Sequence, residues 1–291
     1  MDRKTVVLLL TFRRVDGVKR ILETITAVDL PIVVSIDRDE TLTELEQEKA
    51  FEEVKTSFPQ VKFWQRKRNF GLAEHFSAAV EESFAEFDNV IVIEDDIRIS
   101  TAVLVSTQIL LQKRFPKEVG AISLFPGLPS FSALGFMKNS WRKSPYFCPW
   151  GFALQREDWT MFNLRLPLEA DQQLLNSKAI QTMSRIRQLV WKTRVLKVIA
   201  NPQFTYDTQI QFYLFTNDKE VYVPLLRGSD NCGFADEFAV HTKGRLPRWI
   251  IGNAHRKKFR AKHLAHKFLV RVCATWDSFT IAGDRRVPWR H

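Results

Sequence analysis

Four candidate strands, each separated from the next by a stretch of helical periodicity, constrain this chain more than any other feature. They are TVVLLLTF (5–12), PIVVSID (31–37), VKFWQRKRN (61–69) and NVIVIEDD (89–96). A strand with one wet face alternates apolar and polar residues. Val6 to Leu10 and Val90 to Ile93 do not alternate, so both faces of these strands are expected to be covered. The intervening segments supply the cover. Val18, Ile21, Leu22 and Ile25 recur at helical spacing in 15–28. Leu42, Leu45, Ala50, Phe51 and Val54 are available to one face of 41–58, and Phe76, Val80, Phe84 and Phe87 form a stripe in 71–87. Strands alternating with helices predict an α/β fold: a mostly parallel, Rossmann-like sheet flanked by helices and built with right-handed crossovers.

Composition sets the outer bounds. With 291 residues, 45% of them hydrophobic, the chain can bury a sizeable core as one large domain or two smaller ones. No apolar segment reaches the roughly 18–20 uncharged residues of a membrane span, and the apolar stretch in MDRKTVVLLLTFRR is too short for a signal peptide, so a cytoplasmic location is expected. Cys148, Cys232 and Cys273 are odd in number and far apart, which argues against a disulfide framework or a zinc site. The net charge of +10 is uneven: residues 242–291 hold 13 Lys and Arg against Asp277 and Asp284, which leaves about −1 for residues 1–241.

In sheets of this kind ligands bind outside the carboxyl ends of the strands, where Asp37 and the run Glu94, Asp95, Asp96 fall. A lone Asp at a strand end is ordinarily a solvated turn. Three adjacent carboxylates after a buried strand call for a counter-charge. No G-x-G-x-x-G turn follows the first strand and no P-loop is present, which excludes a dinucleotide fingerprint and a backbone cradle for phosphate. Mg²⁺ or Mn²⁺, bound through one or two carboxylates with positions left for phosphate oxygens and water, supplies the missing charge. Successive strand residues face opposite ways, so the three acids cannot all be ligands from a regular strand.

On these residues the chain, from about Thr5 to Thr242, resembles glycosyltransferases of the GT-A fold. The pattern is nearest the N-acetylglucosaminyltransferase I type and bacterial sugar transferases of polysaccharide synthesis. IEDD (93–96) stands where those enzymes carry the Glu-Asp-Asp form of an Asp-x-Asp metal motif. The resemblance implies that Asp96 coordinates Mn²⁺, Asp95 meets the ribose or donor sugar, and Glu94 supports the nucleotide sugar. It implies that Thr11 and Arg13 of TFRR contact the nucleotide, with a surface position for Arg13 beside Arg14 as the alternative. By the same resemblance Asp37 meets the base, Arg68 of RNFGL (68–72) the diphosphate and Asn69 the nucleoside, the role of Arg68 being open to Lys67 or Arg66 as well. Gly71 admits a tight turn there.

The second half is expected to carry the acceptor. YFCPWGFALQREDW (146–159) is similar to a loop beside the donor sugar, with Trp150 and Gly151 as donor-binding residues and Phe147 and Phe152 as core. In NPQFTYDTQIQFYLF (201–215), Asp207 matches the family's catalytic base, which takes the acceptor hydroxyl's proton during inverting transfer. An N-cap role for the same Asp is the alternative, and the two are compatible. The chain departs from the family here, with Tyr206 in place of Trp and Thr208 in place of a second Asp. VYVPLLRGSDNCGFADEFAVHT (221–242) resembles a late loop of the bacterial relatives, in which Gly233 and Phe234 close over the nucleotide and His241 completes the metal shell or contacts the diphosphate.

HRKKFRAKHLAHKFLVRVCATW (255–276) reads as an amphipathic basic helix that meets an anionic membrane surface or packs on the catalytic domain. No recognised nucleic-acid motif accompanies its charge. The resulting expectation is a GT-A-like catalytic domain over 1–241, with a donor side of about 1–125 and an acceptor side of about 126–241, followed by a basic helical C-terminal extension over 242–291. Its function would be Mn²⁺- or Mg²⁺-dependent transfer from a nucleotide sugar, UDP-linked as the first choice, to a glycan or lipid-linked acceptor. The setting would be bacterial surface polysaccharide synthesis, peripheral at the inner face of the membrane. The competing reading is a non-catalytic basic protein for an anionic membrane surface or nucleic acid.

Overall fold

The computed structural model describes residues 2–125, 141–160, 162–224 and 228–232. At its centre β1 (Thr5–Thr11) lies between β2 (Ile32–Ile36) and β4 (Asn89–Glu94), with β3 (Lys62–Gln65) outside β2, all four parallel. The second half extends the same sheet with β6 (Val119–Ser123), β7 (Trp141–Ser144), β8 (Phe152–Gln155) and β9 (Glu220–Pro224), in the order β3-β2-β1-β4-β8-β6-β9-β7. Only β7 and β8 run against the rest, so the sheet is mostly parallel, as the apolar runs require. A short antiparallel pair, β5 (Ile97–Ile99) with β10 (Ser229–Asn231), crosses the end of β4.

The non-alternating runs bury both faces. Val7, Leu9, Ile91 and Ile93 pack with Val18, Ile21, Leu22 and Ile25 of α1 (Val15–Ile25) and with Phe51 and Val54 of α2 (Glu44–Ser57). Val6, Leu8, Val90 and Val92 pack on the other face with Phe76, Val80 and Phe84 of α3 (Gly71–Glu86) and with Ile210 and Leu214. After α4 (Thr101–Leu111) and the single turn α5 (Arg156–Trp159), a helical layer forms from α6 (Ala170–Asn176), α7 (Lys178–Gln181), α8 (Arg185–Ala200) and α9 (Asp207–Thr216). Leu174, Ile180, Trp191, Val195 and Phe215 meet in its core.

Helix α2 departs from the sequence expectation. Its start is set by a capping box in which Thr43 and Glu46 bond reciprocally. Only Phe51 and Val54 of the expected apolar face turn inward, while Leu42, Leu45 and Ala50 are exposed. Gln47 takes the inward position because the loop after β2 needs its amide: Nε2 donates to the Asp37 carbonyl at 2.7 Å, and Oε1 accepts from Asp39 N at 3.1 Å. A buried amide that satisfies backbone groups outweighs the apolar alternatives on this turn. The segment 255–276, the rest of 242–291, Gly233 and Phe234 lie outside the described residues.

Helix α1 is pressed against the end of β4 at one point. A Cβ on Gly17 would stand 2.3 Å from the Asp95 carbonyl oxygen, closer than real Cβ atoms come to another heavy atom. Ala ordinarily stabilises a helix interior relative to Gly by roughly 0.5–1 kcal/mol, so the sign of a substitution is informative. Gly17→Ala is expected to lower stability in urea unfolding by about 1–3 kcal/mol, the range for overpacking. A gain in stability would show that α1 can retreat from β4 at no cost.

Candidate active site

The three acids at the end of β4 lie among compensating groups that reach them from four different segments. Asp95, buried, accepts from the Thr11 hydroxyl at 2.8 Å, from Phe12 N at 3.4 Å and from Arg14 NH1 at 2.8 Å. The same Arg14 nitrogen lies 3.8 Å from Asp96 Oδ2, and Asn231 of β10 donates to that oxygen at 3.5 Å. Backbone closes the turn: Cys232 N donates to the Asp96 carbonyl at 2.8 Å, and Arg20 NH2 reaches the Asp95 carbonyl at 3.5 Å. Glu94 accepts from the Tyr206 hydroxyl at 2.8 Å, while the Tyr206 ring stacks on Phe76 with centroids 4.0 Å apart. Tyr206 thus ties the end of β4 to the start of α9, 112 residues later in the chain.

That bond brings the candidate base beside the candidate metal motif. Asp207 opens α9, and its Oδ1 accepts from Thr208 N at 2.6 Å, from the Thr208 hydroxyl at 3.2 Å and from the Thr205 hydroxyl. It therefore satisfies amide and hydroxyl groups of the first helical turn. Its Oδ2 has no hydrogen-bond partner among the described residues. The carboxylate is oriented through Oδ1 and lies within electrostatic reach of the Arg194 guanidinium, whose charged form it favours. Its negative charge is one of those that push Glu94 upward.

Other sequence-predicted residues have partners of their own. Arg13 forms a bidentate pair with Asp39 at 2.6 and 2.7 Å and lies over the Phe12 ring, and this pair holds the Asp39 carboxyl down at about 2. Asp37 caps α3, accepting from Phe70 N and Gly71 N at 3.0 Å each and from Arg38 N at 2.9 Å; burial nonetheless moves its carboxyl above the ordinary value. Asn69 accepts from Gly71 N at 2.8 Å, in a turn that Gly71 completes at φ +72°. Arg68 is exposed, pairs with Glu74, and lines a cleft of about 360 Å³ with Ser77, Arg165 and Gln203 that includes none of the three acids. Trp150 is buried edge-on to Phe125 at 4.7 Å, its carbonyl accepting from Ser229. Gly151 turns the chain at φ +80° so that Phe152 pairs with Val92, which sets this turn alongside the last residues of β4. Phe147 and Phe152 are core, as expected. His241 lies outside the described residues. Sequence reasoning missed Arg14, the cation that Asp95 uses; adjacent arginines in TFRR offered no signal to rank one above the other.

The donor set bears on the expected metal. Asp96 Oδ1 is buried with no hydrogen-bond partner among the described residues, a costly state unless a cation or water meets it. Among the described residues no group of three His, Cys, Asp or Glu side chains is arranged to hold an ion. What fits a divalent ion is the Asp96 Oδ1 atom alone, a single carboxylate oxygen of the kind that Mg²⁺ takes when phosphate oxygens and water fill its other positions.

Burial, then the neighbouring charge of Asp96, pushes Glu94 up to about 8; burial and then Asp95 push Asp96 up to about 6. A folded state that keeps protons which the unfolded chain has released loses stability as pH rises between the ordinary and the raised value. His75, kept neutral down to about 3 chiefly by burial, acts in the opposite sense, but its contribution is complete once pH passes its ordinary 6.5. Among the described residues Glu94 is therefore the group that governs the slope between pH 7 and 8. The protein is expected to lose up to about 1.4 kcal/mol per pH unit there, while Glu94→Gln, which keeps an oxygen for Tyr206, stays nearly flat in urea titrations. Parallel curves for the two proteins would mean that Glu94 is already ionised in the fold.

No protein-family profile and no curated protein matches this chain. Among solved structures it is similar to a mannosyltransferase from Pyrobaculum calidifontis in complex with GDP-Man and Mn²⁺, at 16% identity over 74% of this chain and 70% of that one, with a TM-score of 0.44. It is also similar to GalNAc-T7 with UDP, GalNAc and Mn²⁺, at 13% identity over 78% of this chain and 43% of that one, TM-score 0.44. A third is a cytidylyltransferase from Leptospira borgpetersenii, at 10% identity over 74% of this chain and 98% of that one, TM-score 0.39. A likeness of this degree concerns the course of the backbone alone.

Proposed function

We propose that the chain is a divalent-metal-dependent glycosyltransferase of the GT-A type, moving a sugar from a nucleotide sugar to an acceptor hydroxyl with inversion. The observation that carries this reading is the Tyr206–Glu94 bond, which ties together the segments that carry two carboxylates: Asp96, whose buried Oδ1 has no hydrogen-bond partner among the described residues, and Asp207 at the start of α9. One suits a cation and the other a proton. Asp96 would hold the metal, which when bound supplies charge stabilisation to a departing diphosphate. Asp207 takes the acceptor's proton at Oδ2 while Thr205 and Thr208 fix its other oxygen. Arg14 and the Thr11 hydroxyl keep Asp95 oriented beside them. A glycan or lipid-linked acceptor in bacterial surface polysaccharide synthesis, at the cytoplasmic face of the membrane, completes the proposal. No helix among the described residues is long and apolar enough to cross a membrane.

The first test is thermal. With Mn²⁺ present, one member of a panel of UDP-, GDP- and CMP-sugars is expected to raise the unfolding midpoint, because a ligand bound only to the folded state stabilises it. A panel without effect would remove the enzyme reading. Asp96→Asn is expected to weaken Mn²⁺-dependent donor binding by more than the 10–100-fold that outer-shell changes typically cost, with the fold retained. Full affinity in that variant would place the ion elsewhere.

Asp207→Asn separates binding from chemistry. It is expected to keep nucleotide-sugar affinity and lose roughly 10²–10⁴-fold in kcat, the usual contribution of general base catalysis. An unchanged rate would assign Asp207 to capping α9 alone. A product that retains the donor's anomeric configuration would exclude direct inverting attack.

A further inference from the structure

From Gln172 to Tyr206 the chain carries six Lys and Arg and no Asp or Glu, a basic stretch hidden inside a region that is nearly neutral as a whole. Helix α8 lies within it and has two apolar faces. Trp191, Val195 and Val198 are buried against the helical layer. Ile186, Leu189 and Leu196 are 66%, 64% and 44% exposed. With Thr193 and Ala200 they follow a 3-4-3-4 spacing, which at about 100° per residue makes one ridge roughly opposite the buried face. The same rotation puts Arg185 and Lys192 along one flank of the ridge and Lys197 along the other. Lys192 is itself anchored by Asp171 at 3.2 Å, so that flank has a defined position.

An apolar ridge between basic rows is the pattern of a helix lying in the interface of an anionic bilayer, aliphatic side chains among the acyl chains and cations at the headgroups. A second copy of α8 would fit the ridge but not the charge, because the cations flanking each ridge, Arg185, Lys192 and Lys197, would face their counterparts with Asp171, already paired to Lys192, as the neighbouring acid. We propose that the outward face of α8 is a membrane-docking surface for anionic phospholipid, seated through Ile186, Leu189 and Leu196. The assignment stands on this helix and does not depend on the transfer reaction. It names a surface separate from residues 255–276.

Co-sedimentation of the full-length protein with vesicles tests it. Binding is expected to vesicles of phosphatidylglycerol mixed with phosphatidylcholine, to be absent from pure phosphatidylcholine, and to weaken in high salt. The combined variant Ile186→Ser, Leu189→Ser, Leu196→Ser is expected to lose roughly tenfold or more in partitioning with an unchanged unfolding midpoint, since the replaced side chains are exposed. Leu189→Trp is expected to bind more tightly, because an aromatic ring at the headgroup level adds an interfacial anchor. Equal binding by the triple variant would overturn the proposal and assign any lipid affinity to another segment. No binding to either vesicle would overturn it too, as would capture by an acidic polypeptide such as polyglutamate in preference to lipid.

Discussion

The ion pair between Arg14 and Asp95 is the interaction on which the site depends. Strand β4 delivers three carboxylates to the edge of an apolar sheet, where charge is poorly solvated and like charges repel. Arg14, Thr11 and the Phe12 amide all meet Asp95 there. Its neighbours bear the cost of the crowding: Glu94 and Asp96 are raised by burial and by the adjacent acids. A partly buried pair of this kind is weak evidence for net stability, since desolvation offsets much of the attraction. Cutting one partner would nonetheless leave a buried charge uncompensated. The pair also specifies position, because it fastens the end of β1 to the end of β4 just where α1 closes to backbone contact at Gly17.

The sheet makes this convergence possible. Parallel β1, β2 and β4 all end on one edge, which gathers Thr11, Asp37 and Glu94 from separate parts of the sequence. At β4 the direction reverses, and β8 begins where its neighbour ends. The acidic strand end therefore has parallel strand ends on one side and the Pro149–Gly151 turn on the other, with the β5–β10 ribbon following directly from β4.

The parallel half of the fold was readable because it follows from solvation. A run such as Val90 to Ile93 has no wet face, and the flanking helices carry stripes that match it. Gln47 stands at i, i+4, i+7 with Phe51 and Val54 while Leu45 lies opposite, so a polar side chain with backbone groups to satisfy, which an apolar pattern does not count, fills the inner face of α2. The acidic cluster was legible as three carboxylates on a buried strand, and Asp207 as an Asp opening an apolar helix. Their partners were not. Arg14 differs from Arg13 only in which way the chain turns after β1, and the Tyr206–Glu94 bond spans a separation that no local pattern records. Residues assigned by resemblance, notably Asp37, Asn69 and Arg13, have well-defined places in the structure, but each is engaged with the loops around β2 and α3 or with Asp39.

The connection from α8 to α9 sets a length scale. Six residues, Asn201 to Tyr206, join the last turn of α8 to the tyrosine that holds Glu94. A chain segment of that size spans at most about 20 Å even when fully extended. The end of α8 is thus tethered close to the acidic cluster, and the buried stack of Tyr206 on Phe76 keeps the tether's inner end from drifting. The last turn of α8 and the carboxylates therefore lie within the reach of one short tether. If the proposed docking surface and the proposed transfer both hold, that tether works as a ruler: an acceptor hydroxyl presented from the surface on α8 would have to lie within its reach to meet the site.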